Sequence, residues 1–190
     1  MRYDRLVVGY HGCDDATAER VLAGEPFKPS KNDFDWLGEG VYFWENGAHR
    51  ALGFAEDQVR RRKVERPTVV GALIQLGLCF DLLDTRFTTD IADAYPLLRA
   101  AWDSEGKQVP ENGGTSPDKM LRRLDCAVLN SYLELVKAQA SISYQTVRGA
   151  FQEGGPVFPE SGIFRKTHIQ IAVRDPSCII GVFRPMAVPS

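Results

Sequence analysis

The sequence has little cysteine, little histidine and no long apolar run, and each shortage excludes a class of protein. Its 190 residues contain four cysteines, and none of them forms a Cys-x-x-Cys pair. This number is too small for a disulfide scaffold, and no zinc-ligand spacing occurs, so we expect reduced thiols. The three histidines share no metal-ligand spacing either, and we therefore predict that the protein binds no metal.

Apolar length and charge set further limits. The longest apolar candidate, 69–83, is interrupted by glycines and polar residues and is shorter than the roughly 18–20 residues of a membrane span. The amino-terminal segment shows no signal-peptide pattern. Lysine and arginine number 23 against 25 aspartates and glutamates, which excludes a broadly basic nucleic-acid coat but not a local basic patch. We expect a cytoplasmic protein without a membrane segment.

What is present is a succession of strand and helix patterns over the whole chain. β-rich runs predict strands at 6–10, 41–44, 68–76, 144–151, 168–174 and 178–183. Apolar residues at helical spacing predict helices at 16–23, 46–62, 91–102 and 119–140. Glycine, proline and polar residues predict long loops at 25–36, 106–117 and 153–165, and loops of that length are often functional. The pattern predicts one α+β domain over 1–190.

Two of the histidines lie where chemistry is plausible. His11 follows the first strand, and alternation places His168 and Gln170 on the same face of a later strand. The alternative for each histidine is a half-buried, hydrogen-bonded side chain. Cys13 follows His11 closely, but no further activating group is visible, so cysteine catalysis is not predicted.

Three segments carry more information together than singly. They are Tyr-His-Gly-Cys at 10–13, Gly-Glu-Gly-Val-Tyr-Phe at 38–43, and His-Ile-Gln-Ile-Ala-Val-Arg-Asp at 168–175. Their order resembles that of the diphtheria-toxin-like ADP-ribosyltransferases, which include the poly(ADP-ribose) polymerases. The resemblance covers the two ends of the chain, and the mostly helical section at about 78–143 has no counterpart in it.

The family signature is H-Y-E, and the matching residues here are His11, Tyr42 and Gln170, an H-Y-Q variant. The resemblance implies an ADP-ribosyltransferase-like fold, a split mixed β-sheet core with flanking helices, and NAD as co-substrate. The alternative is that the two glycines before the aromatic strand form an ordinary turn and that Tyr42 belongs to the core.

Cleaving nicotinamide from ribose passes through an oxocarbenium-like state, which defines what such a site needs. Tyr42 would hold the nicotinamide ring flat, opposite Phe54. Gly12 lacks a Cβ and would allow the carboxamide to reach the main chain. His11 would hydrogen-bond a hydroxyl of the adenosine-side ribose, and Gln170 the 2′-hydroxyl of the nicotinamide ribose.

Gln170 departs from the family because glutamine hydrogen-bonds but carries no negative charge. Glu153, in the long loop before the last strands, is the candidate replacement carboxylate. Arg148 is a candidate partner for a phosphate, and Ser30 for the adenosine end of NAD. The alternatives are a solvated loop glutamate, a salt-bridged arginine and a loop that its aromatic residues pin to the core.

The resemblance implies a mono-ADP-ribosyltransferase that modifies a macromolecule, a protein rather than a nucleic acid. Compact bacterial enzymes of this type act as toxins or defence effectors, which would imply a neutralising antitoxin or immunity protein. Three alternatives stay open: an NAD glycohydrolase, a catalytically inactive module that binds NAD or ADP-ribose, and an RNA-directed transferase.

Overall fold

The computed structural model describes residues 3–114 and 119–186, and this part of the chain is a mixed α+β structure. Its strands are β1 Tyr3–Asp14, β2 Val41–Glu45, β3 Pro67–Gly77, β4 Cys79–Asp81, β5 Thr146–Phe151, β6 His168–Val173 and β7 Ile179–Phe183. Its helices are α1 Asp15–Leu22, α2 Ala48–Arg60, α3 Thr85–Ser104 and α4 Arg123–Ala140, with a 3-10 turn at Pro176–Cys178. The predicted α+β class is confirmed; the end of the predicted loop 106–117 lies outside the described residues.

The strands form one seven-stranded sheet in the order β4-β5-β6-β2-β1-β3-β7. β4 and β5 are parallel, and every other neighbouring pair is antiparallel. The longest ladder joins β1 to β3, whereas β1 and β2 pair through Gly9 with Glu45 and Tyr10 with Trp44. The backbone pairing is therefore continuous, and the two halves of the sheet meet at the short β1–β2 joint.

Each face of the sheet is covered by different helices. α1 lies on one face, here called the α1 face, where it packs on an apolar core that includes Val7, Phe43, Ile74 and Ile171. The opposite face, here called the α2 face, carries α2 above β1 and β3 and α4 above β4, β5 and β6. The loop before β2 also covers part of the α2 face, where its Trp36 packs on Phe151 of β5.

Local signals explain most element boundaries. Asp14 caps α1 by accepting from the Ala16 amide at 3.1 Å, as the sequence predicts. α3 begins at Thr85, six residues before the predicted start at Ile91, because Asp84 caps it in the same way. Asn46, predicted to cap α2, adopts a positive φ instead, and the cap is Gly47 without a side-chain hydrogen bond.

Within the described residues, no helix is long and apolar enough to cross a membrane. All four cysteines are free and buried. Burial raises the pKa of the Cys13 thiol to about 11 and that of Cys79 to about 12. Both are thiols at neutral pH, which agrees with the expectation that cysteine does not act as a nucleophile here.

Candidate functional site

Five polar or aromatic side chains converge on the α2 face between α2 and α4. They come from β2, α2, β6 and the segment after β5, and we call them the Glu153 cluster: Trp44, Arg50, Glu153, His168 and Gln170. Trp44 and Gln170 are directly paired across β2 and β6. His168 lies two residues before Gln170 and so shares its face. The sheet register therefore assembles this cluster from residues that are far apart in sequence.

A buried carboxylate is the electrostatic centre of the cluster. Arg50 Nη2 donates to Glu153 Oε1 at 3.1 Å and to Oε2 at 3.0 Å. The Glu153 side chain is 5% exposed and that of Arg50 is 17% exposed. A charge this deeply buried is costly unless it is paired, and Arg50 supplies the pairing. The fixed negative charge of Glu153 thus points onto the face that bears Gln170.

His168 adjoins the same carboxylate. Its Nε2 lies 3.4 Å from Glu153 Oε1, and its side chain is 4% exposed. Burial is the main influence on the imidazole and lowers its pKa below the usual value. The Lys166 carbonyl and the Glu153 charge raise the pKa of His168, and Arg50 lowers it further. The net direction favours the neutral ring at pH 7.

Several buried nitrogens of the cluster lack partners. Within residues 3–114 and 119–186, Trp44 Nε1, Arg50 Nε and His168 Nε2 are buried without a hydrogen bond. Leaving such a group unpaired costs about 1–3 kcal/mol, so native proteins rarely bring several together without a water or a ligand. The Gln170 amide adds a donor and an acceptor on the same face. The cluster has the hydrogen-bonding groups of a binding site for a polar ligand.

Aromatic rings flank the cluster on two sides. Phe54 of α2 packs on Trp44, with ring centroids 5.0 Å apart. Trp36 packs on Phe151 with ring centroids 4.6 Å apart, and its ring is inclined by 29° to the His168 ring at a centroid distance of 6.5 Å. These flat surfaces can hold a planar ring between polar groups.

Trp36 is itself held in place by the segment that precedes α4. Its indole Nε1 donates to the Met120 carbonyl at 2.9 Å. The Arg122 guanidinium lies 4.8 Å above the ring. The loop before β2 is therefore fixed over the α2 face rather than extended into solvent.

The segment that carries Glu153 is a hairpin. Its foot is closed by the Lys166 amide, which donates to the Glu153 carbonyl at 2.9 Å. Gly154 and Gly155, at φ +78° and +72°, turn the chain away at once. The Glu153 backbone is thus held from β6, and its side chain is held by Arg50. The predicted loop 153–165 is confirmed as the connection between β5 and β6, and it forms a hairpin.

Tyr42 lies on the α2 face with Gln170, but its hydroxyl is already engaged. The hydroxyl accepts from the Leu37 amide at 2.8 Å and donates to the Gly38 carbonyl at 2.7 Å. Burial raises the pKa of Tyr42 well above its usual value. The aromatic partner of Phe54 is Trp44, so the predicted pairing of Tyr42 with Phe54 is not what the structure shows.

His11 lies on the other face of the sheet. Its ring packs between Phe27 and Phe43, with centroids 5.2 and 5.7 Å away. Its Nδ1 donates to the Tyr42 carbonyl oxygen at 2.8 Å. This side-chain hydrogen bond links β1 to β2. Burial lowers the pKa of His11. The structure does not bring His11 to the face that bears Gln170.

Arg148 is also on the α1 face and forms a buried ion-pair cluster. It donates to Glu45 at 2.6 and 3.1 Å and to Asp81 at 3.0 and 3.2 Å. All three side chains are buried. The guanidinium is fully occupied by carboxylates, so the structure favours the salt-bridged alternative over a phosphate contact.

Ser30 fastens the early loop to the strand that follows it. The Ser30 amide donates to the Gly40 carbonyl at 2.8 Å, and the Gly40 amide donates to the Ser30 carbonyl at 3.1 Å. The Ser30 hydroxyl accepts from the Asn32 side-chain amide at 2.7 Å. The residues beside it, Pro29 and Lys31, line a polar groove of about 380 Å³ against α4. Ser30 therefore lies apart from the Glu153 cluster, which does not line this groove.

Gly12 is the position where α2 meets the sheet. A Cβ built on Gly12 would lie 2.0 Å from the Ala51 carbonyl oxygen, so the α2 backbone occupies the space that a side chain at this position would need.

We expect Gly12→Ala to destabilise the protein by about 3 kcal/mol because α2 must shift. Urea unfolding measures this. Gly53→Ala is the matched control. Among the described residues, no atom outside the neighbouring residues and backbone of α2 lies within 4 Å of a Cβ built there, and alanine in a helix should stabilise by about 0.5–1 kcal/mol. Equal stability of the two variants would contradict the close packing.

The sequence predicts Glu153 and Gln170 as site residues; of the other three members of the cluster, two are accessible to sequence reasoning and one is not. Trp44 shares the face of Tyr42 by strand alternation, and His168 was noted on the face of Gln170. Arg50 carries no sequence signal, because one arginine in an amphipathic helix is indistinguishable from a solvated one.

Comparison with known proteins identifies no activity. No family model matches the chain, and no solved structure matches it. Over 49 residues, 26% of this chain, it is 41% identical to an uncharacterized protein of Methanocaldococcus jannaschii. The matched stretch spans 22% of that protein's length. The name of this relative describes no activity. Function must therefore be inferred from the Glu153 cluster.

Proposed function

We propose that the protein is an NAD-dependent mono-ADP-ribosyltransferase of the ADP-ribosyltransferase-like fold, which transfers one ADP-ribose unit to a macromolecule. The observation that supports this most is the position of Glu153. Gln170 cannot provide the negative charge of the H-Y-E signature, but Glu153 projects a buried, fixed carboxylate onto the same face, with His168 between them.

The groups of the cluster suit the nicotinamide ribose. A preorganised carboxylate stabilises the positive charge that develops on the ribose as nicotinamide leaves. The Gln170 amide and the Trp44 indole offer hydrogen bonds to ribose hydroxyls or to the carboxamide. The half-buried Trp36 ring offers a surface for the nicotinamide ring. Under this proposal His11, Tyr42 and Gly12 shape the sheet and the early loop rather than contact the reacting atoms.

The proposal extends to the setting in which the enzyme works. The acceptor is a protein, the enzyme acts in the cytoplasm, and its toxicity is restrained by a neutralising antitoxin or immunity protein. Expression of the wild-type chain alone should then slow bacterial growth, and Gln170→Ala should relieve that effect. Vigorous growth with active enzyme present would count against the toxin role.

The direct test uses purified protein, adenylate-labelled NAD and a cell lysate. We expect nicotinamide release together with label on a protein band. Gln170→Ala should lower release about tenfold, since it removes one or two hydrogen bonds. Gln152→Ala is the matched control, because Gln152 is exposed beside the hairpin foot. Wild-type protein that binds NAD without releasing nicotinamide would refute the enzyme and leave the binding module.

A second candidate function, NAD glycohydrolase, is favoured by the enclosure of the Glu153 and His168 side chains. An enclosed site admits water more readily than a large acceptor. Nicotinamide release without label on any macromolecule would identify this activity.

A further inference from the structure

The two ring nitrogens of His168 have different surroundings. Nδ1 lies 2.6 Å from the Lys166 carbonyl oxygen, and since a carbonyl oxygen accepts but does not donate, Nδ1 carries the proton. In the neutral ring Nε2 is therefore the nitrogen with a free lone pair. Within the described parts of the chain this nitrogen is buried and has no hydrogen bond, although it lies 3.4 Å from Glu153 Oε1.

Nε2 and Oε1 thus form a pair of facing acceptors. Arg50 donates to both oxygens of Glu153, as expected of an ionised carboxylate that has no proton to give. Two acceptors at this distance are unfavourable unless a third group brings a hydrogen to them. The two side chains are only 4% and 5% exposed, which favours a small third group such as a water molecule or a terminal hydroxyl.

We infer that Nε2 of His168 accepts the proton of the nucleophile in the reaction proposed above, and that this nucleophile is a hydroxyl rather than a carboxylate. The inference rests on the proposed function. The hydroxyl belongs either to water or to the acceptor macromolecule. In both cases an O–H group donates its proton to Nε2 of His168.

The step balances without a further reactant. The O–H bond breaks and its proton binds Nε2, while an oxygen lone pair forms the new bond to C1′ of the ribose. The bond from C1′ to the nicotinamide nitrogen breaks, and its electron pair neutralises the pyridinium ring. The imidazolium then lies beside the Glu153 carboxylate, which stabilises its charge until the proton returns to solvent.

The surroundings of His168 predict the pH dependence. The charged groups that face it are Glu153 from the hairpin foot and Arg50 from α2, and the rings against it are Trp36, Trp44 and Phe151. Burial lowers the pKa of His168, so the neutral, competent ring dominates at pH 7 and is lost as the pH falls. The rate should rise with pH and then level off.

The test compares wild type with His168→Asn and His49→Asn in nicotinamide release from pH 5 to 8. Asparagine can keep the donor to the Lys166 carbonyl but lacks Nε2. We expect His168→Asn to release nicotinamide about 100-fold more slowly with a flattened pH profile. His49 is exposed on α2, and its variant should match wild type. Urea unfolding and NAD binding show whether each variant is folded.

The product distinguishes the source of the hydroxyl and the class of the acceptor. Free ADP-ribose indicates water, and label that resists neutral hydroxylamine and that mass spectrometry places on a serine, threonine or tyrosine indicates a hydroxyl side chain; either agrees with the inference. Label that hydroxylamine removes indicates a carboxylate acceptor and overturns it. A folded His168→Asn with the wild-type rate and pH profile overturns it as well, whereas wild-type protein that releases no nicotinamide overturns both this inference and the proposed function.

Discussion

Replacing Arg148 with methionine is expected to destabilise the fold by about 3–5 kcal/mol, which is the largest stability effect we predict. The guanidinium makes four hydrogen bonds to two buried carboxylates on the α1 face. Methionine leaves the buried Asp81 carboxylate without its arginine partner, and it leaves Glu45 with only the exposed Arg5, whose Nη2 lies 4.0 Å from Glu45 Oε1. Urea or thermal unfolding gives the change in free energy directly.

Two further variants make this prediction specific. Arg99→Met removes an exposed arginine that pairs with Asp103 along α3, and it should cost under about 0.5 kcal/mol. Adding Glu45→Gln and Asp81→Asn to the Arg148 variant should restore part of the loss, because the stranded charges disappear. If Arg148→Met and Arg99→Met had the same stability, the ion-pair cluster would have no structural role.

Replacing Glu153 with glutamine is expected to reduce nicotinamide release by about 100- to 1,000-fold, the largest effect on activity. The substitution keeps the shape of the side chain and removes the negative charge nearest the Gln170 face. Arg50 then loses its charged partner, so the loss combines missing transition-state stabilisation with a less well-fixed hairpin foot. The rate is measured at saturating NAD.

The matched control is Glu160→Gln, in the same hairpin but exposed, which should keep the wild-type rate. Growth inhibition in cells should follow the rates in vitro. Wild-type release by a folded Glu153→Gln protein would remove Glu153 from the site and with it the main support for the proposed function.

The sequence predicted helices and strands well where residues close together in the chain were sufficient to define them. The strands at β2 and β3 and the cap of α1 are where aromatic residues, β-branched residues and Asp14, respectively, place them. β4, only Cys79–Asp81, was missed because three residues show no period and because its pairing with β5 is not local. Likewise β1 continues past Tyr10 to Asp14 because β3 pairs with it over that length.

The candidate site was predicted only in part, because a motif does not state which side of a sheet each residue faces. Glu153, His168 and Gln170 were identified as residues that could act, and the structure brings them to one face. His11 and Tyr42, adjacent in the motif order, point to opposite faces. The antiparallel register of β1 and β2 pairs Gly9 with Glu45 and Tyr10 with Trp44, so alternation places His11 on the face of Gly9 and Tyr42 on the face of Trp44.

The sequence by itself determined the α+β class, most of the strands and helices, and a short set of residues able to do chemistry. Hydrophobic period and turn residues are local properties, and they act before any long-range contact forms. Only the tertiary structure decided that Arg50 compensates Glu153, that His168 faces the same carboxylate, and that Arg148 is enclosed by acids. Those outcomes depend on the register between distant strands and on the packing of α2 over the sheet, and a shift of one residue would have reversed the faces.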